Sequence, residues 1–261
     1  MAGILKRLSV VIPTTDWYAM LWRLELNLLG LCAQTIAPQE VVVVDSIGKT
    51  DTVAKLVNKF KDRLNIHAEQ LPYSDLVFRT GGARNKGVES LHQDCDRILF
   101  LDSDCVPFPK VVETHLQLDE PNLVLLGFRT HIKPFKDLIG NLNLVYSVKP
   151  RAQDWRIRAK RDKGTFGICH SNHLSVSKSL FDKVNGFWPC VVINEDVEFG
   201  YRCHVAGGKF ATVPNPKVRH IDHPIWRPHY PNNDIPSYHV TTAESMKMPG
   251  YLRETPDFLR W

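Results

Sequence analysis

The strongest pattern along the chain is a series of short apolar runs that alternate with segments of helical spacing. The runs "SVVIP", "EVVVVD" and "RILFLD" consist mainly of β-branched and large apolar side chains, which is typical of buried strands. Between them, apolar residues recur every three or four positions in "WYAMLWRLELNLLGLCAQT" and "TVAKLVNKFKDRL". Strands that alternate with helices predict an α/β fold with a mostly parallel central sheet flanked by helices.

The second half of the chain is less regular. Residues 149–163 carry many cations with little periodicity, which is typical of an irregular or mobile loop. Regular structure is predicted again at "HLSVSKSLFDKV" and "EDVEFGYRCHVAGG", and the segment from Pro214 onward is rich in proline, histidine and aromatic residues.

The composition excludes several classes of protein. A chain of 261 residues that is 43% hydrophobic can bury a sizeable core and is too apolar for disorder. The formal charge of +5 is mild, so we expect no nucleic-acid partner. The six cysteines contain no CxxC pair, which favours reduced, mostly buried thiols. No window approaches the roughly 20 apolar residues of a membrane span, and we expect a cytoplasmic protein, either free or peripheral at the inner membrane face.

Two aspartates follow the strand "RILFL". Asp102 and Asp104 flank Ser103, and alternate residues of an extended backbone point to the same side, so both carboxylates are expected to face one point. Magnesium and manganese usually take one or two protein carboxylates and fill their other positions with water and phosphate oxygens. An aspartate at a strand end also closes ordinary turns, so the pair alone leaves both interpretations open.

Two further segments provide groups that suit a nucleotide diphosphate. Asp45 ends the strand "EVVVV", and ligands of parallel sheets bind beyond the carboxyl ends of the strands. In "RTGGARNKG", Arg79 and Arg84 lie around two glycines that permit a tight turn into a helix, and an arginine fork suits phosphate. Alternatively, Asp45 only closes a turn after its strand, and the two glycines only form a turn before an ordinary surface helix.

Three carboxylates crowd the start of the predicted helix "EDVEFGYR". Acids in a first helical turn stabilise the helix dipole by about 0.3 to 1 kcal/mol each, so a structural role is a serious alternative for Glu195, Asp196 and Glu198. Three carboxylates within four residues nevertheless exceed what capping of the helix requires. Adjacent like charges raise one another's pKa toward the range that suits a general base.

Histidines follow in "KVRHIDHPIWRPH", which contains His220, His223 and His229. A lone histidine near a chain end is more often a surface residue. A histidine added to an aspartate pair, however, would shift the metal preference from magnesium toward manganese, because imidazole suits transition metals. We therefore favour His220 as a metal ligand and Mn²⁺ over Mg²⁺.

Taken in order, "VVIPTT", "VVVVDS", "GGARNKG", "LDSD", "GFWP" and "NEDVEFGYR" resemble the GT-A nucleotide-sugar glycosyltransferases of family 2, with some similarity to chondroitin-polymerase-like and galactosyltransferase-like members. The resemblance covers roughly residues 8–223. It implies metal-dependent, inverting transfer of a sugar from a nucleotide sugar, usually a UDP-sugar, to an acceptor hydroxyl in polysaccharide or glycoconjugate biosynthesis. It also implies one GT-A domain over residues 1–261, with a nucleotide-binding half at about 1–127 and an acceptor and catalytic half, including an irregular C-terminal region, at about 128–261.

The resemblance assigns a role to each matched position. Asp196 corresponds to the general base and Glu195 to its neighbour in the Glu-Asp motif, while Trp188 lies in the loop that walls the acceptor. The metal ligands correspond to Asp102, Asp104 and His220. The nucleotide-sugar contacts correspond to Pro13, Thr14, Thr15, Asp45, Arg79, Arg84, Asp102, Ser103 and Asn172. The chain departs from the family at Ser46, where many relatives carry a second acid, and in the loop Thr-Thr-Asp-Trp, where a Tyr-Asn type is commoner.

The acceptor and the rival functions complete the expectations. The acceptor is expected to be a glycan, a glycolipid or another hydroxyl compound, and the cations of residues 149–163 suggest that it is anionic and that this loop orders once the donor is bound. A nucleotidyltransferase normally has a glycine-rich basic loop after its first strand, and "IPTTDWYAML" offers none. A catalytically silent glycan- or nucleic-acid-binding protein would use the same cations, although one interleaved aromatic, Trp155, is little for base stacking.

Overall fold

The computed structural model describes residues 6–15, 18–46, 51–71, 80–154, 156, 166–188, 195–213 and 218–223. The strands in these ranges are β1 (Leu8–Thr14), β2 (Glu40–Asp45), β3 (Ile66–Gln70), β4 (Arg97–Leu101), β5 (Cys105–Pro107), β6 (Leu123–Leu126), β7 (Arg129–Ile132), β8 (Ala152–Gln153), β9 (His173–Ser177), β10 (Lys209–Thr212) and β11 (Val218–Ile221). The helices are α1 (Tyr18–Cys32), α2 (Thr52–Asn58), α3 (Thr80–Glu89), α4 (Val111–Gln117), α5 (Leu142–Ser147), α6 (Lys178–Lys183) and α7 (Glu195–Val205).

The larger sheet has seven strands in the order β10-β6-β9-β4-β1-β2-β3. Strand β9 runs antiparallel to both of its neighbours, and every other pair in this sheet is parallel. The prediction of a mostly parallel central sheet in an α/β fold is therefore confirmed.

Alternate residues of the central strands pack into separate cores on the two faces of the sheet. Val10 and Ile12 of β1 belong to a cluster that includes Leu24 and Leu28 of α1, whereas Val11 points to the opposite cluster. Burial on both faces explains why these strands read as continuous apolar runs rather than as an alternation.

Helix α3 lies unusually close to β1. A Cβ atom on Gly87 would lie 2.4 Å from Cγ1 of Val11, so any larger residue would push the helix away from the sheet. Arg84 lies three positions earlier and therefore on the same face of the helix. The close approach at Gly87 allows the buried Arg84 to reach the carboxyl edge of the sheet.

A second, smaller sheet has the order β5-β11-β7-β8. Strand β11 is antiparallel to β5 and parallel to β7, which places His220 opposite both Cys105 and His131. The sequence pattern does not predict β11, because its four residues lie in the region after Pro214 that is rich in proline, histidine and aromatic residues.

The cysteines agree with the expectation of unpaired thiols in the part of the chain that the structure describes. Cys95, Cys105, Cys169 and Cys203 are buried and free, and Cys32 is free and half-buried. Burial raises the pKa of Cys105 and Cys169 well above the usual thiol value. Cys190 lies outside the described residues. Within the described ranges, no helix combines the length and the apolar character that crossing a membrane requires.

We expect an irregular or mobile loop at residues 149–163, but Arg156, one of the cations of this segment, lies inside the protein. This side chain is buried, and its Nε and Nη2 atoms donate to the two carboxylate oxygens of Asp154 at 2.9 and 2.6 Å. Its Nη1 atom donates to the carbonyl of Ile168 at 2.9 Å. Arg156 is therefore a structural cation, whereas Trp155 and residues 157–163 lie outside the described residues.

Replacing Arg156 with alanine should lower the free energy of unfolding by about 3 to 5 kcal/mol, because the carboxylate of Asp154 would stay buried without its partner. Lys149, an exposed cation of the same basic run, provides the control, and Lys149→Ala should stay within about 0.5 kcal/mol of the parent. Urea denaturation measures both values. Equal losses in the two variants would contradict the structural role.

Candidate functional site

Several predicted site residues meet at the carboxyl edge of the larger sheet. Thr14 ends β1 and pairs with Asp45, the fully buried last residue of β2. Asp102 follows β4, and its backbone N–H donates to the carbonyl of Asn172 at 3.3 Å. Pro13 and Thr15 lie on either side of Thr14. The structure thus brings together residues from β1, β2, β4 and the segment before β9, as the rule for parallel sheets predicts.

The two aspartates of "LDSD" lie on a turn, not on an extended strand. The backbone N–H of Cys105 donates to the carbonyl of Asp102 at 3.0 Å and closes this turn around the buried Ser103. The expectation that alternate residues would point both carboxylates at one spot is therefore wrong. Asp102 and Asp104 instead face different partners.

Arg84 links Asp102 to Glu195. Its Nη2 atom donates to Oδ1 of Asp102 at 2.9 Å, and its Nη1 atom donates to Oε1 of Glu195 at 2.8 Å. The guanidinium is almost fully buried and lies 5.4 Å from the ring centre of Phe187. Burial alone would lower the pKa of Arg84, but the carboxylates of Asp102 and Glu195 outweigh it and raise the pKa. Arg84 is thus a positioning cation here, and its contact with phosphate stays a prediction.

Three acids lie in the first turn of α7, and two of them, Glu195 and Asp196, make different contacts. Burial and the neighbouring charge of Asp196 raise the pKa of Glu195 to about 7, although Arg84 opposes this shift. The Asp196 carboxylate accepts hydrogen bonds from the backbone N–H groups of Ser171 at 3.2 Å and Val197 at 2.9 Å. These contacts fix the direction of the Asp196 side chain beside the carboxyl edge.

Asp104 lies among histidines. Its Oδ2 atom is 2.8 Å from Nε2 of His223 and 3.1 Å from Nε2 of His220, and these three ligand atoms lie within 4.8 Å of one another. Burial raises the pKa of Asp104, but His220 and His223 outweigh it and hold the pKa well below its usual range. Among the described residues, the buried Oδ1 atom of Asp104 has no hydrogen-bond partner.

This donor set fits a divalent metal ion. One carboxylate and two imidazoles suit manganese or another transition metal better than magnesium, which prefers oxygen ligands. The partnerless Oδ1 atom of Asp104 is the kind of buried polar atom for which a bound ion provides an explanation.

A second layer of contacts orients His220. Its Nδ1 atom lies 3.2 Å from Oδ1 of Asp222, and the same oxygen lies 3.0 Å from Nδ1 of His131. Arg151 binds the other oxygen of Asp222. A carboxylate on the far nitrogen of a ligating histidine fixes the ring and increases its basicity.

Two of the residues in this cluster were not assigned from the sequence. The sequence pattern indicates His220 as a ligand but not the neighbouring His223, and it assigns no role to Asp222. The available signal was "HIDH", in which an acid separates two histidines near a strand end. This signal indicates a site only when the pairing of β11 with β5 is known, because β5 begins directly after Asp104.

Of the remaining predicted residues, the structure describes Trp188 but not Arg79 or His229. Trp188 is half-buried, and its carbonyl oxygen would lie 3.4 Å from a Cβ atom on Gly81, so the Trp188 segment packs against the start of α3. Arg79 and His229 lie outside the described residues.

The family model described as "Glycosyl transferase family 2" matches residues 9–184. The chain belongs to this family. It is 26% identical to the chondroitin synthase of Escherichia coli over 255 residues, an alignment that covers 85% of this chain and 35% of that protein. The chain therefore spans about a third of the length of that relative.

Two solved structures have the same fold. The structure of residues 1–349 of S. aureus TarS in complex with UDP has a TM-score of 0.55 and 18% identity, covering 84% of this chain and 61% of that one. The mannosyltransferase PcManGT from Pyrobaculum calidifontis, in complex with GDP-Man and Mn²⁺, has a TM-score of 0.57 and 19% identity, covering 86% and 59%. The predicted GT-A fold of this family 2 chain is thus confirmed.

The raised pKa of Glu195 predicts a pH-dependent stability. Glu195 keeps its proton up to about pH 7 in the folded protein but loses it near its ordinary value of 4.5 in the unfolded chain. Between these values the folded state binds more protons, so its contribution to the free energy of unfolding falls as the pH rises, by on the order of 3 kcal/mol in total.

Glu195→Gln should remove this decline, because the amide is neutral at every pH. Urea denaturation at intervals from about pH 4.5 to 7.5 measures it. Glu89→Gln, at an exposed carboxylate of the same protein, serves as the control and should keep the parent profile. A Glu195→Gln profile that still declines like the parent would contradict the raised pKa.

Proposed function

We propose that this family 2 chain is a metal-dependent, inverting glycosyltransferase that moves a sugar from a nucleotide sugar to an acceptor hydroxyl. The observation that carries this proposal is a set of buried side-chain oxygens at three predicted site residues. Oγ1 of Thr15, Oδ1 of Asp104 and Oδ1 of Asn172 have no hydrogen-bond partner among the described residues. Buried polar atoms without partners are rare in folded proteins, and a bound nucleotide sugar with its metal would satisfy them.

The donor is proposed to be a UDP-sugar. Support comes from the TarS structure, which is in complex with UDP, and from the position of Asp45 beside Thr14 at the edge where nucleotides bind in open α/β sheets. The proposed nucleotide contacts remain Pro13, Thr14, Thr15, Asp45, Arg79, Arg84, Asp102, Ser103 and Asn172. PcManGT is in complex with a GDP-sugar, so comparing UDP- with GDP-sugars is part of testing the donor.

The metal is proposed to be held by the predicted ligands Asp104 and His220, with His223 added because its Nε2 atom lies 2.8 Å from Oδ2 of Asp104. Asp102, the other predicted ligand, is now proposed to lie close to the diphosphate, because Arg84 holds its Oδ1 atom at 2.9 Å. Manganese is favoured over magnesium because two of these ligands are imidazoles, and the PcManGT structure contains Mn²⁺. When bound, the ion would neutralise the negative charge of the diphosphate leaving group. The protein's own contribution is to hold Asp104 ionised beside the two rings.

The general base is proposed to be Asp196. An acceptor hydroxyl is a weak nucleophile at neutral pH, and a carboxylate within hydrogen-bond reach can take its proton as the anomeric carbon is attacked. Attack from the face opposite the nucleotide inverts the anomeric centre in a single displacement. Glu195 is less suited to this step, because its Oε1 atom is held by Arg84 at 2.8 Å.

The acceptor is proposed to be a glycan or glycolipid hydroxyl that enters beside Trp188, in the half of the domain from about residue 128 onward. The E. coli relative is a chondroitin synthase, which supports polysaccharide or glycoconjugate synthesis. Arg156 is withdrawn as a contact for an anionic acceptor, because its Nε, Nη1 and Nη2 atoms all donate to groups inside the protein. The proposed cytoplasmic location, free or peripheral at the membrane, is compatible with either acceptor.

Asp196→Asn should reduce turnover by about 10²-fold or more while UDP and Mn²⁺ binding persist, because the amide keeps the shape and removes the basicity. Release of UDP from a panel of UDP-hexoses, UDP-N-acetylhexosamines and UDP-uronates, with added glycan acceptors, measures turnover, and calorimetry measures binding. Asp182→Asn, at an exposed acid of α6, is the control. If Glu195→Gln loses more turnover than Asp196→Asn, the base is misassigned, and a product with retained anomeric configuration contradicts the single displacement.

His220→Ala and His223→Ala should each weaken Mn²⁺-dependent UDP binding more than Mg²⁺-dependent binding, because both remove a nitrogen ligand. Asp222→Asn should weaken Mn²⁺ by roughly 10- to 100-fold, the usual cost of losing a partner of a ligating histidine. Calorimetry with each metal measures these affinities, and His204→Gln, at an exposed histidine of α7, is the control. UDP affinity that is the same in EDTA as in Mn²⁺ would contradict metal dependence.

A further inference from the structure

Another group of metal-ligating side chains lies at the opposite edge of the larger sheet. Glu40 is the first residue of β2, His67 is the second residue of β3, and His92 follows the end of α3. Asp45, at the candidate active site, is the last residue of the same strand β2. Glu40 and Asp45 are five residue steps apart along β2, or about 16 Å at 3.3 Å per step, so this group is separate from the proposed site for sugar transfer.

One buried carboxylate oxygen faces both histidine rings. Oε1 of Glu40 lies 3.4 Å from Nδ1 of His67 and 3.1 Å from Nδ1 of His92, and the three atoms lie within 4.8 Å of one another. The other oxygen, Oε2, accepts hydrogen bonds from the backbone N–H groups of His92 and Gln93, both at 3.0 Å. Glu40 is only 1% exposed, so its charge has to be balanced locally.

The opposite nitrogen of His67 determines which atom of the ring carries a proton. Nε2 of His67 lies 3.1 Å from the carbonyl oxygen of Ser90. A carbonyl oxygen can only accept, so Nε2 must be the donor. In the neutral ring, Nδ1 then presents a lone pair to the Glu40 carboxylate, and this arrangement is repulsive unless a cation lies between the two atoms.

The two rings lie side by side, with their centres 4.5 Å apart, so both Nδ1 atoms approach the same oxygen of Glu40. A single divalent ion between the two Nδ1 atoms and Oε1 of Glu40 would take all three atoms as ligands and balance the buried carboxylate. The contact of His67 with Ser90 is the type of outer hydrogen bond that ligating histidines almost always make.

We propose that Glu40, His67 and His92 form a zinc-binding site, with water in the fourth position. Two nitrogens and one carboxylate oxygen are a common ligand set for Zn²⁺. Bond lengths of 2.0 to 2.1 Å around a tetrahedral ion place neighbouring ligand atoms about 3.3 Å apart, close to the 3.1 and 3.4 Å separations from Oε1. The side chain of His92 is 70% exposed, which leaves an approach for the ion and for water.

The site would link the paired strands β2 and β3 to the chain that leaves α3. Glu40 comes from β2, His67 from β3 and His92 from the chain that leaves α3, the helix that also carries Arg84. A bound ion would therefore stabilise the amino edge of the sheet and the C-terminal end of α3 without contacting the nucleotide. The proposal does not depend on the proposed sugar transfer.

The test compares metal stoichiometry in four proteins after treatment with EDTA. Cobalt is titrated as a spectroscopic substitute for zinc, because tetrahedral Co²⁺ absorbs strongly in the visible range, and zinc is titrated by calorimetry. The double variant His67→Gln/His92→Gln should bind one ion fewer than the parent. The double variant His220→Ala/His223→Ala removes the other histidine cluster and should keep the tetrahedral signal of this one. His204→Gln is the matched control at an exposed histidine and should bind like the parent.

The double variant could lose the ion because it misfolds, so a single change at the exposed ring of His92 is tested as well. His92→Gln alone should weaken zinc by more than the roughly 10- to 100-fold that loss of an outer partner costs. Zinc at about a hundred times its dissociation constant should raise the melting temperature of the parent by roughly 5 to 10 °C, and of His92→Gln by much less. Equal stoichiometry, cobalt spectrum and melting shift in the parent and the His67/His92 variants would overturn the proposal.

Discussion

A buried guanidinium holds the candidate active site in one piece. Arg84 binds Asp102 at the end of β4 and Glu195 at the start of α7, which lies 111 residues away along the chain. Without the Arg84 cation, the carboxyl groups of Asp102, Glu195 and the nearby Asp196 would lie close together in a poorly solvated space with no positive charge between them. Breaking a buried ion pair of this kind costs about 3 to 5 kcal/mol, mostly because the remaining charge is left without a partner. The geometry of the site therefore depends on α3 staying close to the sheet, which Gly87 makes possible.

The two aspartates of the motif "LDSD" are adapted to different tasks by their surroundings. Burial and the neighbouring Asp104 raise the pKa of Asp102, although Arg84 opposes the change. The histidines around Asp104 move its pKa in the opposite direction. Environments that separate the pKa values of paired carboxylates usually indicate separate roles. Asp104 is suited to hold a cation, whereas Asp102 is anchored by an arginine at the edge where a diphosphate would lie.

The sequence predicted the larger sheet well because its signal is local. Runs such as "VVVV" are buried on both faces, so the strands and their acidic ends could be read directly, and Asp45, Asp102 and Asn172 do meet at one edge. The smaller sheet and its cluster could not be read in the same way. Strand β11 has only four residues, and its pairing with β5 and the contact of His223 with Asp104 depend on residues more than a hundred positions away. The buried position of Arg156 could not be predicted, because a run of cations does not indicate which of them pairs with a buried carboxylate.

The pairing of β11 also has a consequence for when the proposed metal site can form during synthesis of the chain. Asp104 and His220 are brought together by backbone hydrogen bonds between β5 and β11, so neither side chain has to search for the other once the small sheet exists. Closing a loop of this length carries an entropic cost that folding has to meet first. While the chain is being synthesised, Asp104 leaves the ribosome long before His220 and His223 follow. A nascent chain that has not yet reached β11 therefore lacks both histidines of the proposed metal site, so this site can form only after the small sheet has formed.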